Sequence, residues 1–464
     1  MRGFIFFHRQ KYFKIILLLI FNFSSILFAQ ELNSIFESSS SYFQVDSIKI
    51  IGNEQTQEFV ILRELSFEVG DTVNSEILHY NRERIFSLSI FTKVDVVLEK
   101  QNDKNVVLIK VEESWYIFPV PFVNVRERTF ARASYGVSLK YKNFRGRNET
   151  IRATVSLGYD PFYSLEYVNP LVIQSYDISL SLSFGLGKSV NKSEILEIVN
   201  GNSFEFKTIV INSIWGKRIT EESSLYFSVG YSKTKAPSDN LNLLMASGTS
   251  IDHKITTGIS YLYDSRNLKQ YASDGEYFGI SYLYNGLGNS QSHYNVLNID
   301  IRDYQEIYEN FVMRGFISAR HTFGEYVPIY DYSMFGYDYY IRGNRFEIKE
   351  GNNRILTNLV ISYPILPEWN FALDLPILPN SLTRSRISIM ASLFADAGAI
   401  FNNGDKIKFT DFSHGYGFGL TVLFLPYSSF SLEYAFNEFG KGEILLGTEV
   451  SFWYWTLLYI KNWK

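Results

Sequence analysis

The sequence contains no cysteine. That excludes a disulfide framework and any cysteine-ligated zinc or iron–sulfur site. Charge is scarce, at 20% of residues, and neither sign dominates: 44 Lys and Arg stand against 48 Asp and Glu. No basic excess marks a nucleic-acid binder. After residue 30 there is no long uninterrupted apolar run, so no helical membrane span is expected there. The six histidines are scattered, and no two sit at metal-ligand spacing. No G-x-S-x-G elbow is present. No cofactor and no enzyme activity are expected, although a Ser/His/Asp set assembled in space leaves no local spacing to find.

What the chain has in abundance is aromatic residues. Its 464 residues include 33 Tyr and 39 Phe, and mean hydropathy is near zero at −0.06. So many aromatics oppose disorder. With 11 Pro beside 30 Gly, the mix suits β-strands in which every second residue faces something apolar.

The first residues read as an address. Arg2, Arg9, Lys11 and Lys14 precede an apolar run from Ile15 to Phe28, and Ala29 offers a small residue before Gln30. This is the pattern of a secretory signal peptide over residues 1–29. A membrane anchor is the competing reading, but the run is short for a span of ~20 residues and is interrupted by Asn22, Ser24 and Ser25. Removal of the segment leaves 40 basic against 48 acidic residues, a net charge of −8. Residues 30–43, with Ser38 to Ser41, read as a linker.

Residues 44–113 read as a small α/β domain. Val45 to Ile51 is a strand pattern ended by Gly52-Asn53. Phe59, Ile61, Leu62 and Leu65 follow at helical spacing. Asn74 can cap a second helix carrying Ile77, Leu78, Ile85 and Leu88. Phe91 to Leu98 and Val106 to Val111 form a hairpin turned at Asn102-Asp103. This β-α-α-β-β order, with its Gly-Asn and Gly-Asp breaks, resembles a POTRA domain. The resemblance implies a periplasmic module that presents sheet edges to extended client segments, with main-chain hydrogen bonds supplying sequence-tolerant affinity. A generic α/β spacer is the alternative.

From residue 114 to 452 the pattern is two-residue alternation. Ile178, Leu180, Leu182, Phe184 and Leu186 alternate with Ser179, Ser181, Ser183 and Gly185. Phe430, Leu432, Tyr434 and Phe436 alternate with Ser431, Glu433 and Ala435. A soluble sandwich could give the same alternation. Segments of about ten residues repeated along ~350 residues fit lipid outside and water inside, and at ~22 residues per strand and turn they make about sixteen strands. The fold expected is therefore an all-β transmembrane barrel behind one small α/β domain. Strands are expected to start near residues 115, 134, 146, 162, 174, 205, 223, 251, 276, 293, 309, 355, 385, 413, 428 and 443. Leu366 to Arg384 is a misfit, a long Pro-rich turn on the side where turns are short.

Four motifs carry a wider resemblance. Ile341-Arg342-Gly343 lies in the longest external loop and resembles a (V/I)RG(F/Y) tip that folds into the lumen, with Asn344 in place of the aromatic. Phe394-Ala395-Asp396-Ala397-Gly398 resembles the FxDxG signature of barrel strand thirteen. Asn143-Phe144-Arg145-Gly146 resembles the N-x-x-G turn after strand two, and Asp264-Ser265-Arg266 with Asp274-Gly275 resembles a D-x-R…G stretch in mid-barrel. Together these resemble the outer-membrane assembly and translocation superfamily typified by BamA, TamA and the two-partner secretion transporters.

The resemblance implies that Arg342 meets the strand-thirteen region, so a pair with lumen-facing Asp396 is expected. It implies an outer-membrane location, with lipid, unfolded polypeptide clients and periplasmic accessory proteins or chaperones as partners. The family pattern often has Glu where Asn358-Leu359-Val360 stands, so a thinner luminal network is expected. Lys349, Glu350 and Arg354 read as ordinary loop charges. Gly415-x-Gly417-x-Gly419 falls within a strand, where close packing or a bend is expected rather than a phosphate loop.

Pro119 and Pro121 remove two donors from one edge of the first strand. Either they mark a weak seam with the last strand, which family members use as a lateral opening, or they simply start the first strand with pairing beginning after Phe122. Gly447, Val450 and Phe452 match a G-x-x-Φ-x-Φ insertion signal. Residues 453–464 extend past it with three Trp, either at the membrane interface or because the last strand runs later. With room for one POTRA-like domain, a specialised or accessory role is expected over a general one. A passive pore or structural barrel without clients is the rival reading, and a single-client secretion transporter lies between.

Overall fold

The structure, a computed structural model, describes residues 42–125, 132–237, 241–242, 245–287, 293–336, 339–376 and 379–450. The signal segment, most of the linker, Phe452 and residues 453–464 lie outside the described residues, and of Val450 only the backbone is described.

The first domain contains β1 (Phe43–Gln44), β2 (Ser47–Ile51), α1 (Glu58–Leu62), β3 (Thr72–Val73), α2 (Ser75–Phe86), β4 (Phe91–Gln101) and β5 (Lys104–Glu113). Asn74 caps α2, its Oδ1 accepting from the Ile77 amide at 2.9 Å. Asn102 and Asp103 both have positive φ, which suits the tight turn between β4 and β5. β5 lies centrally, parallel to β2 and antiparallel to β4, so β2 and β4 are the sheet edges.

Sixteen further strands form one antiparallel sheet. They begin with β6 (Ile117–Val125), β7 (Ala133–Phe144), β8 (Glu149–Gly158), β9 (Phe162–Ile173) and β10 (Ile178–Val190). A short helix, α3 (Glu194–Asn200), precedes β11 (Glu205–Arg218), β12 (Ser223–Lys235), β13 (Ile251–Asp264), β14 (Gly275–Leu287), β15 (Tyr294–Tyr308) and β16 (Phe311–Gly324). The long loop that follows holds a ribbon of β17 (Ser333–Phe335) and β18 (Lys349–Gly351). The sheet resumes with β19 (Asn353–Ala372), β20 (Arg384–Phe401), β21 (Ser413–Leu425), β22 (Ser428–Asn437) and β23 (Gly442–Val450). Asp396 thus stands on the thirteenth barrel strand.

Alternation sorts the two faces. Leu393, Ile444 and Leu446 are 63%, 66% and 75% exposed on the outside, while Asp396 on the inner face is 6% exposed. A belt of outward Leu, Ile, Phe and Tyr of this size is costly against water, at about 25 cal/mol per Å² of apolar surface. Against lipid it costs nothing, which decides between a barrel and a soluble sandwich. No helix among the described residues is long and apolar enough to cross a membrane.

The misfit segment resolves into strand. β19 and β20 are 20 and 18 residues long and stay paired to Ala372↔Arg384. Register shifts between Pro364 and Leu366 and between Leu366 and Trp369 absorb the prolines as bulges. β19 runs to Ala372 and β20 begins at Arg384, so the strand count does not slip.

The first domain packs against the barrel end where β6 begins. Leu268, Met390, Leu423 and Leu425 of the barrel join the core formed by Val60, Ile61, Ile85 and Ile109. The Asn143–Gly146 turn docks there too: the Gln57 amide donates to the Gly146 carbonyl at 2.8 Å, and Asn143 Nδ2 donates to Thr56 Oγ1 at 2.8 Å. Glu83 on α2 takes the Arg386 guanidinium at 2.8 Å and that of Arg82 at 2.6 Å.

Candidate functional site

The loop after β16 returns into the lumen as far as β20–β22. Ile341 is buried with Phe335 and Leu356, which anchors the tip. Arg342 then meets Asp396 through two parallel bonds, Nε to Oδ2 at 2.8 Å and Nη2 to Oδ1 at 2.7 Å. Its backbone amide donates to the same carboxylate at 3.1 Å, and Nη1 donates to Glu433 on β22 at 3.0 Å. The guanidinium also lies 3.6 Å from the Phe394 ring centre. One cation is therefore held by two carboxylates and an aromatic face, a geometry that a planar guanidinium satisfies and a lysine does not.

The glycines make room for this approach. Gly343 has φ +94°, and its amide donates to Glu443 at 2.7 Å. A Cβ at Gly415 would fall 1.8 Å from the Arg342 carbonyl, so the loop lies directly on β21. The Gly415–Gly419 alternation is thus a flat packing surface. Gly398 lies against the Phe335 ring.

Several expectations change here. Asn358 does not leave the network thin: its side chain donates to Asp396, and Glu433 supplies a second carboxylate from β22. Arg354 is no loop charge but buried on β19, 3.4 Å from the centre of the Tyr339 ring. Lys349 Nζ donates to Ser413 Oγ at 2.6 Å, and Glu350 accepts from the Ile195 amide at 3.1 Å, so both tie the loop down. Glu433 was legible as a carboxylate at an inward position among Ser431 and Ala435. Glu443 had no such signal.

The first and last strands form the second region of interest. The Lys142 amide donates to the Tyr116 carbonyl at 2.8 Å, and Ile117 is opposite Tyr141. This fixes the ladder phase: Phe118, Val120 and Phe122 exchange bonds with β7, whereas Pro119 and Pro121 turn their nitrogens to the other edge. Pairing with β7 starts at Ile117, before the prolines. The prolines therefore cost that ladder nothing and leave the outer edge of β6 two donors short. Among the described residues the sheet runs from β6 to β23 with no ladder joining the two. Gly447 lies on β23 opposite Ser431.

A family model described as the Omp85 superfamily domain matches residues 143–444, about two-thirds of the chain. The chain belongs to the Omp85 superfamily. A second model, POTRA, described as a surface antigen variable number repeat, matches residues 43–114. The Omp85 barrel lies in the outer membrane and its POTRA domain in the periplasm, so the end where β6 begins is periplasmic. BamA from Haemophilus ducreyi lacking POTRA domains 1–3 is similar over 88% of this chain and 84% of its own, with 16% identity and a TM-score of 0.52. CdiB from Escherichia coli is similar over 88% of this chain and 76% of its own, with 9% identity and a TM-score of 0.53. Both likenesses are of fold. A search of curated proteins gives no match. In this Omp85 chain, then, the luminal loop is fastened to strands thirteen to sixteen, whereas among the described residues no ladder joins β6 to β23.

Proposed function

We propose that this outer-membrane protein inserts or translocates polypeptide clients, with the seam between β6 and β23 as the site of exchange. The observation that carries the reading is the free edge of β6. It presents backbone groups that no described strand pairs, and its two prolines weaken any closure by β23. An unpaired edge templates an incoming strand. BamA and CdiB, the similar structures, belong to assembly and secretion systems, which agrees with this use.

The POTRA domain offers the earlier contact. β4 lies on the side of β20, which leaves β2 as the edge open to an extended client. Capture there would precede delivery to the seam. The Arg342–Asp396–Glu433 cluster has a structural part: it holds the loop and the wall of strands thirteen to fifteen in one piece beside the seam. The test is quantitative comparison of outer-membrane and secreted proteins with this chain present and depleted. Loss of many barrels identifies an insertase, and loss of one or a few products a dedicated transporter. No change in any product overturns the reading and leaves a pore or structural barrel.

A further inference from the structure

The paired extension of β19 and β20 reaches beneath the neighbouring strands to the periplasmic end of the seam. Between the two strands lies Ser381, in a short helical turn (Asn380–Thr383), and its carbonyl is shared. The Trp115 amide donates to it at 3.3 Å, and the Tyr427 hydroxyl donates to it from the other side. Trp115 lies two residues before β6, and Tyr427 stands in the turn between β21 and β22. The same two regions touch directly, with the Phe118 and Tyr427 rings 5.8 Å apart. One carbonyl thus bridges the start of the first strand and the last hairpins of the barrel.

A second contact ties this turn to the POTRA domain. Arg384 Nη1 lies 2.7 Å from the Glu112 carboxylate at the end of β5. Only Ser114, Trp115 and Tyr116 separate β5 from β6. Motion of the POTRA domain therefore reaches the turn and the first strand together.

These ties are of a releasable kind. The Arg384–Glu112 pair is partly exposed, at 32% and 39%, and such pairs contribute little. Beside the turn the outer surface carries only an open apolar groove of about 330 Å³, bordered by Phe371, Leu382, Phe424, Tyr427 and Phe430, with Leu382 and Phe430 themselves exposed. A segment with few buried contacts is drawn from the least stable parts of a fold.

We propose that the β19–β20 extension is a clasp across the periplasmic end of the seam, and that the POTRA domain sets, through Glu112, whether it is closed. The proposal rests on the seam being the place of exchange, and its test reads the seam itself and not the client. Because the chain has no cysteine, labels can be placed singly. Spin labels at Val123→Cys and Leu446→Cys, both exposed on the outer face, report the gap between β6 and β23 in the full chain in lipid nanodiscs.

Arg384→Glu with Tyr427→Phe is expected to lengthen and broaden that distance. Arg384→Glu combined with Glu112→Arg, which reverses the pair, is expected to restore it. Separately, Trp115→Cys with Ser381→Cys should lose channel openings on oxidation and regain them on reduction. Unchanged distances in the clasp variant, or openings indifferent to oxidation, overturn the clasp. Distances that respond in a protein whose depletion alters no product sustain the clasp and overturn the client reading instead.

Discussion

Arg342 and Arg384 both meet carboxylates, one in the lumen and one at the periplasmic rim. Arg342 is largely buried, at 14% exposed against the buried Asp396, doubly paired, stacked on Phe394 and braced by its own backbone amide. Arg384 is partly exposed and meets Glu112, itself partly exposed, at the rim. Water competes for the second pair and not for the first, so the two differ in strength far more than in distance. The barrel therefore holds one wall as a rigid unit and leaves its seam end on weak ties. The proposed exchange of clients at the seam requires that contrast.

Breaking the strong side should have the largest effect. Arg342→Ala strands Asp396 and Glu433 without their cation, and loss of one partner of a buried pair costs about 3–5 kcal/mol. The expected outcome is a membrane-inserted barrel whose long loop is cut by external protease and which unfolds at lower temperature. Arg342→Lys should recover part of this, since it restores charge without the fork. Asp396→Asn is next, because it weakens charged bonds from Arg342 while leaving Glu433 to hold it, at about 1.5–3 kcal/mol. Glu433→Gln should cost less than Asp396→Asn on the same protease and melting measurements.

Legibility in the sequence followed the same division. The barrel was readable because alternation is a repeated local signal, and the Arg342 and Asp396 motifs named both ends of one contact. Three things were not readable, for physical reasons. Glu433 was readable as an inward carboxylate, but its meeting with Arg342, and those of Asn358 and Glu443 with the loop, depend on register between strands far apart in the chain, which no local pattern encodes. Arg354 looked like a loop charge because its burial depends on where β19 starts. The Leu366–Arg384 segment looked like a turn because its prolines suppress the strand signal, and two bulges rescue the pairing. That misread stretch is the one that reaches the seam.

On the weak side, the docking of the POTRA domain should respond to acid. Burial favours the neutral form of Glu83, but the Arg386 and Arg82 guanidiniums outweigh it and hold the carboxyl below its usual range. Glu368 also faces this pair, bonded to Arg82 and Arg386. Glu64 is likewise buried and likewise lowered, by Arg218, Lys269, Arg84 and Arg63. A carboxyl lowered on docking contributes fully above its undocked value, and the contribution is lost as pH falls through the lowered one. Docking should therefore be constant from neutral down to the ordinary carboxylate range and weaken below it. Labels at Glu76→Cys and Ile219→Cys read the domain-to-barrel distance. Glu64→Gln with Glu83→Gln should flatten the response.

The smallest stability effect and the sharpest comparison come from the prolines. Pro119→Ala with Pro121→Ala returns two amide donors to the outer edge of β6 and leaves the β7 ladder untouched, because that ladder uses Phe118, Val120 and Phe122. Exposed substitutions outside any buried network change stability by about 0.5 kcal/mol or less, so melting should barely move. The seam should move, since two more donors let β6 close on β23. A narrower Val123–Leu446 label distance and fewer channel openings are expected, with client delivery reduced in step. If the distance stays as it was, the prolines mark only the beginning of a strand, and the weakness of the seam resides in the clasp alone.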